Sequence, residues 1–232
     1  MSYKKLSLRV NAFSDDAKKT VDELIKNERE AKDLVEWVES GSIVLMEGPA
    51  KSGKTRLAME VIDNFRGEGK VVYIDLEKYN KEIDIGHVLI GNQPFYRKLL
   101  SKMPKGYILI VDNAHDLEND FYKRLQYFYD QDYLRSVILI KKADETLKLP
   151  KSIQSRVGYK IIRLQELEKQ DYLKIATNRL QNVFNEKQLD NIWQRSGDFS
   201  TFLSNCEKVV SSYVEEGRKK LDNNFISKVL ER

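Results

Sequence analysis

The run Gly48-Pro49-Ala50-Lys51-Ser52-Gly53-Lys54-Thr55 carries the clearest chemistry in the chain, because it fits G-x-x-x-x-G-K-[ST] between an apolar run and an amphipathic stretch. Glycines at 48 and 53 permit a tight loop whose N–H groups turn inward, at the positive end of the helix that follows. Such a loop cradles phosphate. Lys54 is placed to reach the outer phosphates of a nucleotide and Thr55 to put its hydroxyl on Mg²⁺. Arg56 extends the nominated binding segment to residues 48–56.

A second group of residues supplies the other half of such a site. Tyr107-Ile108-Leu109-Ile110-Val111-Asp112 is an apolar run ending in an acid, a form in which the Asp holds the Mg²⁺ water shell from the end of a buried strand. Thr55 and Asp112 are thus the metal candidates. In hydrolysing enzymes of this architecture the next residue is Glu, which activates the attacking water. Here it is Asn113, and an amide orients water without taking its proton. Two carboxylates are candidates for the missing base. Glu77 is expected at the end of the strand beside the Asp112 strand, and Asp116 lies a helical turn or less beyond Asn113.

The elements that must position these residues alternate along the chain. Ser14 can cap a helix over Asp15 to about Lys26, and a second, with Leu34, Val35, Trp37 and Val38 on its face, stops at Gly41. Strands are expected at Ser42 to Glu47, Val71 to Leu76, Tyr107 to Asp112, Ser136 to Ile140 and Tyr159 to Leu164. Helices fill the gaps at Lys54 to Phe65, Ile85 to Met103 and Glu118 to Asp130. Apolar, β-branched runs separated by helices predict a parallel sheet covered on both faces, with ligands at the carboxyl ends of its strands. From Glu168 onward only helical patterns appear, over 168–181, 186–195, 201–216 and 223–230. The expected division is a nucleotide-binding domain of residues 1–166, including the helices within 14–40, and a helical lid of residues 167–232.

Composition excludes several alternatives. With one cysteine and two histidines in 232 residues there is no disulfide framework and no cysteine or histidine metal cage, so metal should arrive with the nucleotide. No apolar run reaches the roughly 18 residues of a membrane span, and no charged-then-apolar leader opens the chain, which predicts a cytoplasmic protein without membrane contact. The net charge of +4, from 40 basic and 36 acidic residues, permits nucleic-acid binding without requiring it.

Taken together, the phosphate loop, Asp112-Asn113-Ala114-His115 and the helical tail resemble an AAA+ ATPase. The likeness is to small archaeal-type and ExeA-like members related to the origin-recognition and DnaA initiators. Asn27-Glu28-Arg29-Glu30 followed by Leu34-Val35-Glu36-Trp37 is similar to that family's opening, and Pro150 through Leu164, with Gln154-Ser155-Arg156, to the stretch carrying an arginine near the subunit boundary. The resemblance implies a P-loop αβα sandwich with a five-stranded parallel sheet and a C-terminal all-helical lid. It implies ATP and Mg²⁺ as ligands and a role for Arg156 in trans on a neighbouring subunit's γ-phosphate. A salt bridge is the other reading of Arg156.

The family's sensor on the fourth strand would fall near Lys141 or Lys142, which depart from its usual small polar residue. Ser196-Gly197-Asp198-Phe199-Ser200-Thr201 resembles the segment supplying a second sensing arginine, but neither Ser200 nor Thr201 is one. Larger initiators continue into a DNA-reading domain. This sequence ends at Arg232, so DNA contact is expected from the ATPase body, with Lys141, Lys142 and Arg218-Lys219-Lys220 as candidates, or from a partner. Phe121, Tyr122, Tyr127, Phe128 and Tyr129 read as core packing with an exposed tyrosine face, or as a subunit interface.

The expected function is that of an ATP·Mg²⁺-dependent ATPase, slowed by Asn113, acting on DNA or a DNA-bound partner as an initiator-like or loader-like factor. It is expected to self-associate or pair with a related subunit. The alternative is a weakly or non-hydrolysing switch or assembly subunit, which Asn113 and the missing lid arginine favour. A small-molecule kinase fits the Asp112 run and the helical tail poorly.

Overall fold

The computed structural model describes residues 12–16, 25–78, 83–91, 105–218 and 220–231, without the side chains of Arg66 and Asp116. Most of the helix expected over Asp15 to Lys26, and the second half of that expected over Ile85 to Met103, lie outside the described residues. Asn27–Glu166 form one compact unit, and the chain beyond Glu166 the other.

The first unit is built on five strands. Helix α1 (Glu28–Glu39) buries Ala31, Leu34 and Val38, a helical spacing, and Gly41 then takes a positive φ of 77° to turn into β1 (Ile43–Gly48). Helix α2 (Lys54–Phe65) leads to β2 (Val71–Asp75), then α3 (Ile85–Gly91), β3 (Tyr107–Asp112), α4 (Asn119–Asp130), β4 (Leu134–Lys142), α5 (Lys151–Val157) and β5 (Ile161–Arg163). The strands lie side by side in the order β2-β3-β4-β1-β5, and every pairing is parallel. Every residue of β3 is buried, as a strand covered on both faces requires.

β1 and β2 differ from expectation by a residue at their ends, and β4 and β5 differ by more. β4 is longer at both ends than Ser136 to Ile140, because its long ladders with β1 and β3 hold it extended, and β5 keeps only the residues that pair with Leu45 to Glu47 of β1. Since β1 and β3 flank β4, the chain following each emerges at the same carboxyl edge. That edge gathers the candidate residues.

The second unit holds α6 (Lys169–Leu180), α7 (Glu186–Gln194), α8 (Phe199–Glu215) and α9 (Asn223–Leu230) around a core that includes Leu180, Leu189, Phe202, Val210 and Ile226. α8 begins two residues before the expected Thr201 because Asp198 caps it, Oδ1 accepting from Ser200 N at 2.8 Å and Thr201 N at 3.0 Å. The described residues before Asn27 belong to this unit and not to the sheet unit, a departure from the sequence-based division. Ala12 is buried in the helical core, Arg179 Nη1 donates to the Ser14 carbonyl at 2.6 Å, and Lys26 pairs with Asp171 at 3.4 Å. Among the described residues no helix is long and apolar enough to cross a membrane.

Candidate nucleotide site

The phosphate loop joins β1 to α2 and is shaped by its two glycines. A Cβ on Gly48 would stand 2.8 Å from Ser52 Oγ and 2.9 Å from the Leu164 carbonyl, so only glycine lets the loop cross there. Gly53 has φ +92°, in the left-handed region that favours glycine. Asn27, buried ahead of α1, braces the loop by donating from Nδ2 to the Ser52 carbonyl at 3.4 Å. The first turn of α2 contains no acidic residue, so the positive end of the helix is not offset by a side chain.

Lys54 Nζ folds over this loop, donating to the Gly48 carbonyl at 2.8 Å and the Pro49 carbonyl at 2.5 Å. Burial holds its pKa below that of an ordinary lysine, against the opposing pull of Asp112 and Glu145. A half-desolvated ammonium at a helix start fits an incoming triphosphate, whose charge replaces the lost solvation. Arg56 instead reaches along α2 to Glu60, 3.1 Å away.

Asp112 ends β3 and is buried. Its Oδ2 accepts from Thr55 Oγ1 at 3.4 Å, so the loop hydroxyl and the strand acid come together. The same oxygen accepts from the Tyr73 hydroxyl, and Oδ1 accepts from Asn113 N at 3.0 Å. Burial, reinforced by Asp112, raises the Tyr73 pKa far above the usual phenol range and keeps it a proton donor. Thr55 and Asp112 are hard oxygen donors of the kind Mg²⁺ takes alongside phosphates. Among the described residues no group of three or more His, Cys, Asp and Glu could hold a metal ion.

Glu77 is placed differently from the sequence reading. β2 ends at Asp75, and Leu76–Lys78 closes into a 3₁₀ turn, so Glu77 lies past the strand end. Its side chain is 59% exposed and pairs with Lys142 Nζ at 3.4 Å. Asp75 is the acid at the strand end, in register with Asp112. Asn113 takes a left-handed conformation, φ 58° and ψ 45°, and its Nδ2 donates to Asp75 Oδ1 at 2.9 Å. The side chain of Asp116 lies outside the described residues. Tyr73 and Asp75 were missed in the sequence, although both stand on one face of β2 by its period of two.

The lysines at the end of β4 diverge to opposite sides. Lys141 Nζ is buried against Glu47 Oε2 at 3.0 Å, and Arg163 Nε meets Glu47 Oε1 at 2.8 Å. Burial alone would raise the Glu47 pKa, but the two cations outweigh it and lower it. Lys142 pairs with Glu77 and Glu145, and Glu145 also meets His115 Nδ1 at 3.0 Å. Both candidate sensor lysines are therefore committed to carboxylates.

Arg156 lies in the last turn of α5, where Nη2 contacts Asp130 Oδ1 at 2.8 Å and Oδ2 at 3.0 Å while Nη1 donates to the Ser152 carbonyl. Asp130 ends α4, which runs back toward the amino end of β4, so Arg156 is held away from its own phosphate loop. In the helical unit Arg218 stacks over Phe225 at 4.3 Å and pairs with Glu216, and Lys219 lies outside the described residues. Phe121 and Tyr122 are core residues, whereas Tyr127 is 56% exposed beside Phe128 and Tyr133.

No family model and no curated protein matches the chain. Solved structures do match. The Orc1 protein of Aeropyrum pernix, in complex with DNA, superposes with a TM-score of 0.68 at 15% identity over 94% of this chain and 67% of its own. Cdc6p from Pyrobaculum aerophilum gives 0.67 at 15% identity over 96% and 70%, and Drosophila ORC bound to DNA gives 0.61 at 16% identity over 90% and 61%. The chain shares its fold with these Orc1 and Cdc6p structures. The matches cover 94% and 96% of this chain, and so take in its five-stranded parallel sheet and helices of its C-terminal region. The chain spans between 61% and 70% of the length of these relatives. At 15–16% identity the likeness concerns fold, and the chemistry rests on the residues above.

Proposed function

We propose that the chain is an ATP·Mg²⁺-binding AAA+ ATPase that acts on DNA or a DNA-bound partner, as an initiator-like or loader-like factor in the cytoplasm. The observation that carries this reading is the approach of Thr55 Oγ1 to Asp112 Oδ2 at 3.4 Å, beside a loop that only glycine can close. Residues 48–56 hold the phosphates, Lys54 neutralises the outer ones, and Thr55 and Asp112 hold the metal. Bound Mg²⁺ would supply charge neutralisation at the β- and γ-phosphate oxygens. The Orc1 and ORC structures that share the fold are DNA complexes, which supports the DNA-directed part.

Arg156 acts in trans on a second copy or a related subunit, and its location away from its own Lys54 suits that role. To do so it must leave Asp130. The helical unit serves as the lid. A second reading, an ATP-dependent switch with little turnover, is favoured by the amide of Asn113 where a glutamate would serve. ATP turnover measured with and without duplex DNA separates the two. An initiator-like ATPase turns over and responds to DNA, a switch binds ATP without either, and absence of ATP binding rules out both.

A further inference from the structure

Asn113 leaves the β3 strand end without a proton acceptor, yet the pair it makes restores one a strand away. Asp75 and Asp112 are register partners at the carboxyl ends of adjacent strands, which stand about 4.8 Å apart. Tyr73 shares its strand face with Asp75 and donates to Asp112, so that face of β2 is turned toward the candidate metal acid. Asp75 Oδ1 accepts from Asn113 Nδ2 at 2.9 Å, and Oδ2 meets Lys78 Nζ at 3.2 Å. The charged and titratable groups placed beside it include Lys78, Tyr73 and Asp112. Of the two carboxylates nominated from the sequence, Glu77 faces solvent and Lys142.

We infer that Asp75 is the proton acceptor for ATP hydrolysis, with Asn113 as its positioning residue: the carboxylate stands at the end of β2 and the amide that orients it follows β3. The inference rests on the nucleotide reading above. One N–H of the Asn113 amide is committed to Asp75, and the second N–H and the carbonyl oxygen are of the right type to hold a water. In the step, the water oxygen bonds to the γ-phosphorus as the bond from that phosphorus to the β–γ bridging oxygen breaks. ADP leaves with the bridging electron pair, and the water's proton passes to Asp75. The left-handed backbone at 113 suits this partner, since Asn and Asp enter that region more readily than Glu.

The test compares wild type, Asp75→Asn and the exchanged pair Asp75→Asn with Asn113→Asp, reading ATP turnover and, separately, equilibrium binding of ATP with Mg²⁺. General-base removal lowers rates by about 10²–10⁴. Asp75→Asn should lose at least about 100-fold in kcat within that range, with ATP affinity within about threefold of wild type. The exchanged pair, which returns a carboxylate to the same contact, should regain at least about tenfold over Asp75→Asn. Wild-type turnover in Asp75→Asn would overturn the assignment. So would an exchanged pair no faster than the single variant, because a merely structural Asp75 predicts that result. A wild type that binds ATP but never hydrolyses it overturns this inference alone, and one that binds no ATP overturns the nucleotide reading with it.

Discussion

The two halves of the candidate site differ in what holds them together. After β1, the phosphate half is mostly backbone: glycine crossings, loop carbonyls and a helix start, with one cation laid over them. At the ends of β2 and β3, the acid half is side chains: Tyr73 and Thr55 on Asp112, and Asn113 on Asp75. A backbone cradle recognises any triphosphate and survives most side-chain changes outside its glycines, Lys54 and Thr55. A web of side-chain hydrogen bonds sets rate and metal response, and one atom removed changes it. Binding and chemistry should therefore be separable by mutation.

The largest effect should come from Gly48→Ala. Its Cβ would meet the Leu164 backbone at 2.9 Å, which cannot yield as a flexible side chain does. Overpacking of this kind costs about 1–3 kcal/mol in stability, and the distorted loop should lose ATP binding. Thermal unfolding and ATP titration of the same sample check both; a variant with normal stability and affinity would break the contrast between the halves.

Tyr73→Phe probes the acid half and should be milder. It removes a hydroxyl from Asp112 Oδ2, at about 0.5–1.5 kcal/mol of stability or somewhat more because the acceptor is charged, and leaves that oxygen open to the metal. The Mg²⁺ concentration that half-saturates ATP binding should fall, while metal-free ATP affinity should stay put. An unchanged Mg²⁺ requirement would show that the phenol does not compete with the ion.

Lys54 gives the phosphate half a pH signature. Its charged form binds phosphate, and burial lowers its pKa, so ATP affinity is full at neutral pH and falls as pH rises through that lowered value. The decline should begin before an ordinary lysine, with a pKa of about 10.4, would lose its proton. Affinity that stays flat to that pH would remove the desolvated lysine from the account.

The smallest expected effect concerns Arg156. Its pair with Asp130 is partly exposed, so Asp130→Ala should cost no more than about 1 kcal/mol. It frees the guanidinium, and ATP-dependent self-association should strengthen by a few-fold in sedimentation. Mixing Arg156→Ala with Lys54→Ala subunits should restore some turnover, since part of the interfaces then carry both an intact cradle and an arginine.

The same contrast explains what the sequence could and could not tell. The phosphate half is contiguous, so its residue types and spacing state its geometry, and the buried β3 run ending in Asp112 is as plain. The acid half is assembled across strands. Leu76 continues the apolar character of β2, which made Glu77 look like the strand end, whereas the 3₁₀ turn over Leu76–Lys78 gives that place to Asp75. Lys141 finds Glu47, and Arg156 finds Asp130 26 residues away, through packing that no local pattern encodes. The sheet was legible because apolar runs alternate with helices. The grouping of the residues before Asn27 with the helical unit was not, because it depends on burial of Ala12 at long range.

Nucleotide binding at this loop is tested by calorimetric titration of ATP with Mg²⁺ into wild type and Lys54→Ala. One site per chain is expected in wild type and an affinity at least about tenfold weaker in the variant, as loss of a charge-assisted contact worth about 1.5–3 kcal/mol requires. Thermal unfolding of the two free proteins should differ little. Equal affinity in both, or no heat of binding in wild type, would contradict binding at this loop.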